Sequence, residues 1–155
     1  MIRILFVCLG NICRSPMAEY FMKDLVEKEG LAHCFHIESA ATSSEEWGNP
    51  VYPPARRMLA QHGIACHGHA ARQLRRQDYD RYDYLIGMET ANIRNMLRIT
   101  GGDGDGKISR LLDHTARPGD VADPWYTGDF EATWRDVNDG CRALLEELRR
   151  RHHLT

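Results

Sequence analysis

No stretch of this chain approaches the roughly 20 apolar residues that a bilayer span needs. The apolar N-terminus, residues 2–9, is too short for a signal peptide's apolar stretch plus cleavage site, and Gly10-Asn11 interrupts it. We read it instead as a buried strand. An excess of either sign of charge is also lacking. A formal net charge of -2 lacks the basic excess of a general nucleic-acid binder. Cysteine is sparse and odd in number, five in 155 residues, so a disulfide framework is not expected and a reducing cytoplasm is. Internal repeats and low-complexity tracts are absent. The length suits one domain over 1–155 with a real core.

What is present is an alternation of strand and helix signals. Residues 2–7 are almost continuously apolar, as in a parallel strand covered on both faces. Pro16 suits the first turn of a helix whose core face carries Met17, Phe21 and Leu25, with Tyr20 beside them, and which ends at Gly30. Further strands are expected at 35–39, 82–87 and 107–112. Helices are expected around Ala55, Met58, Leu59 and His62, stopping at Gly63, and over 90–97. Residues 42–54 and 101–106 read as loops. Phe130, Trp134, Val137, Cys141, Leu144 and Leu148 step by three and four, the core stripe of a long last helix. This order predicts an α/β fold, a parallel sheet with helices on both faces and ligands beyond the carboxyl ends of its strands.

The chemistry concentrates after the first strand, in Cys8-Leu9-Gly10-Asn11-Ile12-Cys13-Arg14-Ser15-Pro16. A loop curling over a helix N-terminus aims several backbone N–H groups at one point, and the helix dipole adds positive potential there. Gly10 permits a tight turn and Asn11 tolerates a left-handed backbone. Arg14 offers a planar fork for two phosphate oxygens. A thiol at such a place can have its pKa drawn from about 8.5 to roughly 3.5–7.5. Cys8 is therefore the candidate nucleophile, with Ser15 placed to hydrogen-bond its sulfur. The bland alternative, a buried structural cysteine, does not account for the coincidence of Cys8, Arg14, Ser15 and Pro16.

The segment Val7 to Glu19 resembles the N-terminal signature of the low-molecular-weight protein tyrosine phosphatases. Ser39-Ala40-Ala41-Thr42-Ser43, His62-Gly63-Ile64, Ala71-Arg72-Gln73 and Asp123-Pro124-Trp125-Tyr126 fall where that family has its later motifs. The resemblance implies a three-layer, four-stranded parallel sheet flanked by helices, in the flavodoxin-like order 2-1-3-4. It implies hydrolysis of protein phosphotyrosine and small aryl phosphates through a phosphocysteine on Cys8, with Asp123 as general acid and base, and no cofactor. Asp120 is the fallback acid. Trp125 and Tyr126 would form a flat wall for a phenyl ring. Asn11, Ser39 and His69 match positions that brace the loop, and Cys13 matches a second cysteine that shields the first from oxidation. The implied partners are phosphotyrosine-containing proteins, with inorganic phosphate as product and inhibitor, and the expected state is a monomer or weak dimer without membrane insertion.

Departures from the pattern bear on the substrate. Glu45 stands where an aromatic often grips the ring, with Trp47 two residues later and able to line the cleft mouth or the core. Glu89 replaces an aspartate after the third strand, and Trp125 a common tyrosine. Cys34, Cys66 and Cys141 read as buried. His67 and His69 lack further well-spaced metal ligands, so no metal site is expected. Asp103-Gly104-Asp105-Gly106 fails as a calcium loop because its twelfth position is His114. The basic run 149–153 reads as a frayed, solvated helix end. A thiol-dependent arsenate reductase of the same fold would need further cysteines after the third strand, and residues 79–98 have none. An arginine phosphatase of the same fold prefers threonine at the position of Ile12. A cysteine phosphocarrier domain would need neither Arg14 nor Asp123, and an inactive phosphotyrosine-binding module would have lost Cys8 or Asp123.

Overall fold

The first strand decides how the layers form. In the computed structural model, which describes residues 1–155, β1 (Ile2–Cys8) is buried everywhere except Arg3. Side chains alternate across a strand. Ile2, Ile4, Phe6 and Cys8 thus enter one core, and Leu5 and Val7 a second, smaller one on the opposite face. The larger core is closed by α1 (Arg14–Lys28), α2 (Pro53–Gln61) and α6 (Phe130–Arg151); the smaller receives Met96 from α4 (Thr90–Thr100). A continuous apolar strand is stable only when both faces are covered in this way.

The sheet is four-stranded in the order β2-β1-β3-β4. Here β2 is Phe35–Ala41, β3 is Tyr84–Gly87 and β4 is Ile108–Arg110, and every pairing is parallel. The α/β class, the three layers and the order all match the expectation. Cys8 pairs with Ala41 at the carboxyl end of β1. The chain leaves β1 between its neighbours β2 and β3, where such sheets leave a crevice.

The stripe on α6 is seated as its spacing predicts, with Trp134, Val137, Cys141, Leu144 and Leu148 buried and Phe130 partly so. Trp134 meets Phe21 of α1 edge-on at 5.3 Å, and His62 stacks on its other side at 4.3 Å. Truncating one of the buried leucines to alanine costs about 2–5 kcal/mol. Gly140 is the close approach of this helix. A Cβ there would collide with the side chain of Leu111, so no larger residue fits without a shift.

Element ends differ from the sequence expectation for local reasons. The second strand runs on to Ala41, because Ala41 also exchanges backbone hydrogen bonds with Arg72 and Leu74. The third begins at Tyr84 and is preceded by a short α3 (Asp78–Arg81) that the pattern does not announce. The fourth ends at Arg110, where residues Leu111–His114 tighten into a 3₁₀ turn. The helix expected over 90–97 continues to Thr100, where Gly101 at φ 85° closes it. Cys34 is half-buried rather than buried. The basic run is not frayed: α6 is helical to Arg151, Arg149 pairs with Glu29, Arg151 with Glu147, and His152 hydrogen-bonds Tyr84. In 103–106, Asp103 accepts from Tyr79 and from the N–H groups of Lys107 and Ile108, so its carboxylate ties down the entry to β4.

Candidate active site

Between β1 and α1 the backbone turns back on itself through Asn11, whose φ of 60° is left-handed. Neighbouring segments hold the loop's carbonyls from outside. The N–H groups of Thr42, Ser43 and Tyr52 donate to the carbonyls of Cys8, Leu9 and Ile12. His69 Nε2 donates to the carbonyl of Asn11 at 2.8 Å. With the carbonyls turned outward, the N–H groups of Gly10, Ile12, Cys13 and Arg14 find no acceptor in the chain. The α1 N-terminus has no side-chain cap either. N–H groups gathered at a helix start without partners in the chain suit an anion.

The sulfur of Cys8 lies at the floor of this ring. It accepts from the Asn11 N–H at 3.3 Å and sits 3.0 Å from Ser15 Oγ. A chain of oriented donors fixes which way that last contact runs. Asn11 Oδ1 accepts from the Arg72 N–H, so its Nδ2 faces Ser15 and Ser39, donating to each at 2.9 Å. Ser39 in turn donates to the buried Glu19, which Lys23 neutralises at 2.6 Å. With Asn11 donating to its oxygen, Ser15 turns its proton to the sulfur at 3.0 Å rather than to the Ala40 carbonyl, which lies farther off at 3.5 Å. Both contacts are those that a thiolate accepts. Asn11, Ser39 and His69 thus meet where the motif placed them, while Glu19, Lys23 and Arg72 complete a network that sequence spacing could not reveal.

Arg14 closes the bowl and is almost entirely enclosed, 1% exposed. Its Nη1 donates to the Val121 carbonyl at 2.9 Å and pairs with Glu89 at 3.2 Å; its Nη2 reaches Asp123 at 3.3 Å. Burial alone would lower the pKa of its guanidinium, but Cys8, Asp123 and Glu89 raise it on balance. Arg14 is a permanent cation held by two carboxylates. The longer side chain of Glu89 still reaches it.

Asp123 caps α5 (Pro124–Thr127), accepting from the Trp125 N–H at 3.1 Å through Oδ1 while Oδ2 faces Arg14. The Asp-Pro segment is thus a one-turn helix entry and a cleft carboxylate at once. Asp120 is spent elsewhere, bound by Thr90 and Arg110 away from the bowl. Hydrogen bonds from those partners outweigh burial and lower its pKa.

Above the bowl opens a cleft whose walls include Leu9, Ile12, Glu45, Trp125 and Tyr126. Tyr52 backs Trp125 at 4.8 Å, so that side of the cleft is an aromatic wall two rings deep. Ser43 and Glu46 also line it, which their surroundings in sequence did not signal. Trp47 does not line the cleft and is not in the core. It is 61% exposed, because the turn at 44–48 carries it outward. Cys13 lies in the loop wall, and its thiol is pushed far above its ordinary range by burial first, then by the charges of Cys8 and Asp123.

Comparison with known proteins gives one answer. Residues 3–154 match the family model described as low molecular weight phosphotyrosine protein phosphatase. The chain is 40% identical to the low molecular weight protein-tyrosine-phosphatase YfkJ of Bacillus subtilis, over 99% of this chain and all of that one. The crystal structure of YfkJ superposes with a TM-score of 0.95, covering 97% and 96% of the two chains. A low molecular weight protein tyrosine phosphatase from Streptococcus pyogenes, SP-PTP, superposes at 0.85 with 40% identity, covering 96% and 93%. A drosophila arginine phosphatase, DARP, superposes at 0.88 with 28% identity, covering 96% and 98%.

Proposed function

The chain belongs to the low-molecular-weight protein tyrosine phosphatases and is a cysteine-dependent phosphotyrosine phosphatase of that family, and we propose that Cys8 is its nucleophile, Arg14 its phosphate fork and Asp123 its acid and base. One observation carries this assignment. The Cys8 sulfur lies beneath unpartnered loop amides, with Arg14 enclosed opposite and already holding Asp123.

In the first step the Cys8 thiolate attacks phosphorus in line and the bond from phosphorus to the tyrosine oxygen breaks. Phosphate oxygens take the places around Arg14 and the amides of Gly10, Ile12, Cys13 and Arg14. The fork then has a better anion than Asp123, whose carboxyl turns to protonate the leaving phenol oxygen. A positioned acid of this kind contributes about 10²–10⁴ in rate. In the second step water attacks phosphorus, Asp123 takes its proton, and the sulfur–phosphorus bond breaks to release phosphate. Positioning and charge stabilisation supply most of the catalysis. The aromatic wall of Trp125 and Tyr126 and the bulk of Ile12 favour an aryl ester over a guanidine phosphate. Glu45 at the mouth favours partners without acidic residues flanking the phosphotyrosine.

Cys13 serves as resolving thiol. After an oxidant converts Cys8 to a sulfenic acid, Cys13 attacks that sulfur, and a disulfide forms with loss of water. Conversion of Cys8 to an uncharged group removes one of the charges that hold the Cys13 proton in place. Residues 1–155 act as one domain, monomeric or weakly dimeric, binding no nucleic acid and working in the reducing cytoplasm, where five free cysteines persist. No helix is long and apolar enough to cross a membrane.

The test is side-by-side hydrolysis of phosphotyrosine, phosphoserine and phosphoarginine peptides, with thiol-dependent arsenate reduction measured in parallel. Preferential release of phosphate from phosphotyrosine is expected. Faster turnover of phosphoarginine, or of arsenate, would move the chain to the corresponding branch of the fold.

A further inference from the structure

A second groove shares no lining residue with the substrate cleft, and it is basic. Arg56 and Arg57 of α2 line it together with His67 and His69, around exposed apolar groups of Pro50, Ala60 and Ala65, with the buried Val51 and Ile64 at its floor. No aspartate or glutamate lines it. Neither arginine has a carboxylate within ion-pair distance, whereas Arg72 has one and Arg110 and Arg117 have two each. Two unpaired guanidinium forks and two imidazoles beside apolar groups complement a small organic anion. Its phosphate or carboxylate would meet the arginines and its apolar body the strip between them.

This groove touches the phosphate loop at two points. His69 must be the donor in its 2.8 Å contact, because a carbonyl only accepts, and that bond fixes the Asn11 carbonyl. Its other ring nitrogen makes no hydrogen bond in the chain. Val51 is followed directly by Tyr52, whose N–H holds the Ile12 carbonyl at 2.9 Å and whose ring packs on Trp125 of the cleft wall. Anything that shifts His69 or Val51 therefore shifts a carbonyl whose own loop presents the anion-binding amides.

We propose that this groove is a regulatory site for small phosphorylated or carboxylated molecules with an apolar body, and that its occupancy is transmitted to Asn11 and Ile12. Binding there does not depend on turnover at Cys8, so it is tested apart from catalysis. The full chain, labelled with ¹⁵N, is first saturated with orthovanadate to fill the cleft. It is then titrated with phenylphosphonate, with benzoate and with the neutral control benzyl alcohol. Saturable amide shifts are expected at residues 56–60 and 63–69, with smaller ones at Asn11 and Ile12, for at least one anion and not for the alcohol. The anion that binds more tightly identifies the headgroup. The double variant Arg56→Gln/Arg57→Gln should weaken binding at least about tenfold, since charge-assisted hydrogen bonds are lost. Without the probe, its kcat and KM for phenyl phosphate should equal those of the parent. Equal shifts with benzyl alcohol, equal affinity in the double variant, or no saturable shift in the groove would overturn the site. Groove shifts with silent Asn11 and Ile12 amides would overturn the regulatory claim.

Discussion

Two loops make the cleft, and they are built in opposite ways. Residues 8–15 are enclosed except at Leu9, Gly10 and Ile12, with Asn11, Arg14 and Ser15 almost without exposed surface. Residues 123–128 end in side chains that stand in solvent, Trp125 52% and Tyr126 77% exposed. The first loop is fixed from three directions, by segments at 42–43, at 52 and at 69–72. The second is anchored mainly through Val121, whose N–H bonds the Met88 carbonyl, and through Asp123 on Arg14. The physical need differs. An oxyanion cradle must not reorganise while charge develops. An acid must exchange its proton and let a phenol pass. Rigidity serves the one and accessibility the other.

Replacing the nucleophile breaks the rigid side most severely. Cys8→Ser is expected to cut turnover of phenyl phosphate by about 10⁴-fold or more while the fold and phosphate affinity survive; steady-state kinetics with phosphate titration checks both. On the open side, Asp123→Ala should cost about 10²–10⁴ for phenyl phosphate and much less for esters with acidic leaving groups. A Brønsted plot of rate against leaving-group pKa reads the difference, and equal losses throughout the series would deny Asp123 the role of acid.

Stability separates the loops further. Asn11→Ala should cost roughly 1–3 kcal/mol, since it removes hydrogen bonds from three partners and leaves the Arg72 N–H with none. Those partners are Ser15, Ser39 and the Arg72 N–H. Tyr126→Ala should stay within about 0.5 kcal/mol, as exposed substitutions do. Urea midpoints compare the pair.

The smallest effect is a dependence on acid. Glu38 and Asp120 lie outside both loops and titrate below their ordinary values of 4.5 and 3.8. Burial opposes this, but hydrogen bonds from Tyr82 and His36 to Glu38, and from Arg110 and Thr90 to Asp120, outweigh it. A carboxylate with a lowered folded pKa stabilises above its unfolded value, and that stability is lost as pH falls through the folded one. Thermal stability should therefore decline below the ordinary values of 4.5 and 3.8, and Glu38→Gln with Asp120→Asn should flatten the decline. Both groups are partly solvated, so the change is modest.

Local sequence carried the nucleophile loop because the groups that face the anion are contiguous, although the segments that brace it are not. The strand aims Cys8, Asn11 takes the left-handed turn, and Pro16 enters the helix that supplies the dipole. Layer order followed from apolar runs and three-and-four spacing, which are also local. Ends of elements did not follow. Whether β2 stops at Ser39 or Ala41 depends on Arg72 and Leu74, and where β4 stops depends on the turn at Leu111. Trp47 shows the same limit, since an aromatic near a site is placed by the turn that carries it and not by its chemistry.

The amino-acid order by itself determined which sulfur follows the first strand and which helix begins after the loop, since a turn within a few residues and a helix start need no distant partner. Tertiary structure alone decided that Glu19 and Lys23 orient Ser39, that Glu89 and Val121 hold Arg14, and that Tyr52 backs Trp125. Apart from the one-turn pair of Lys23 with Glu19, those contacts join residues separated by tens of positions, and only burial of both cores fixes the distances between them.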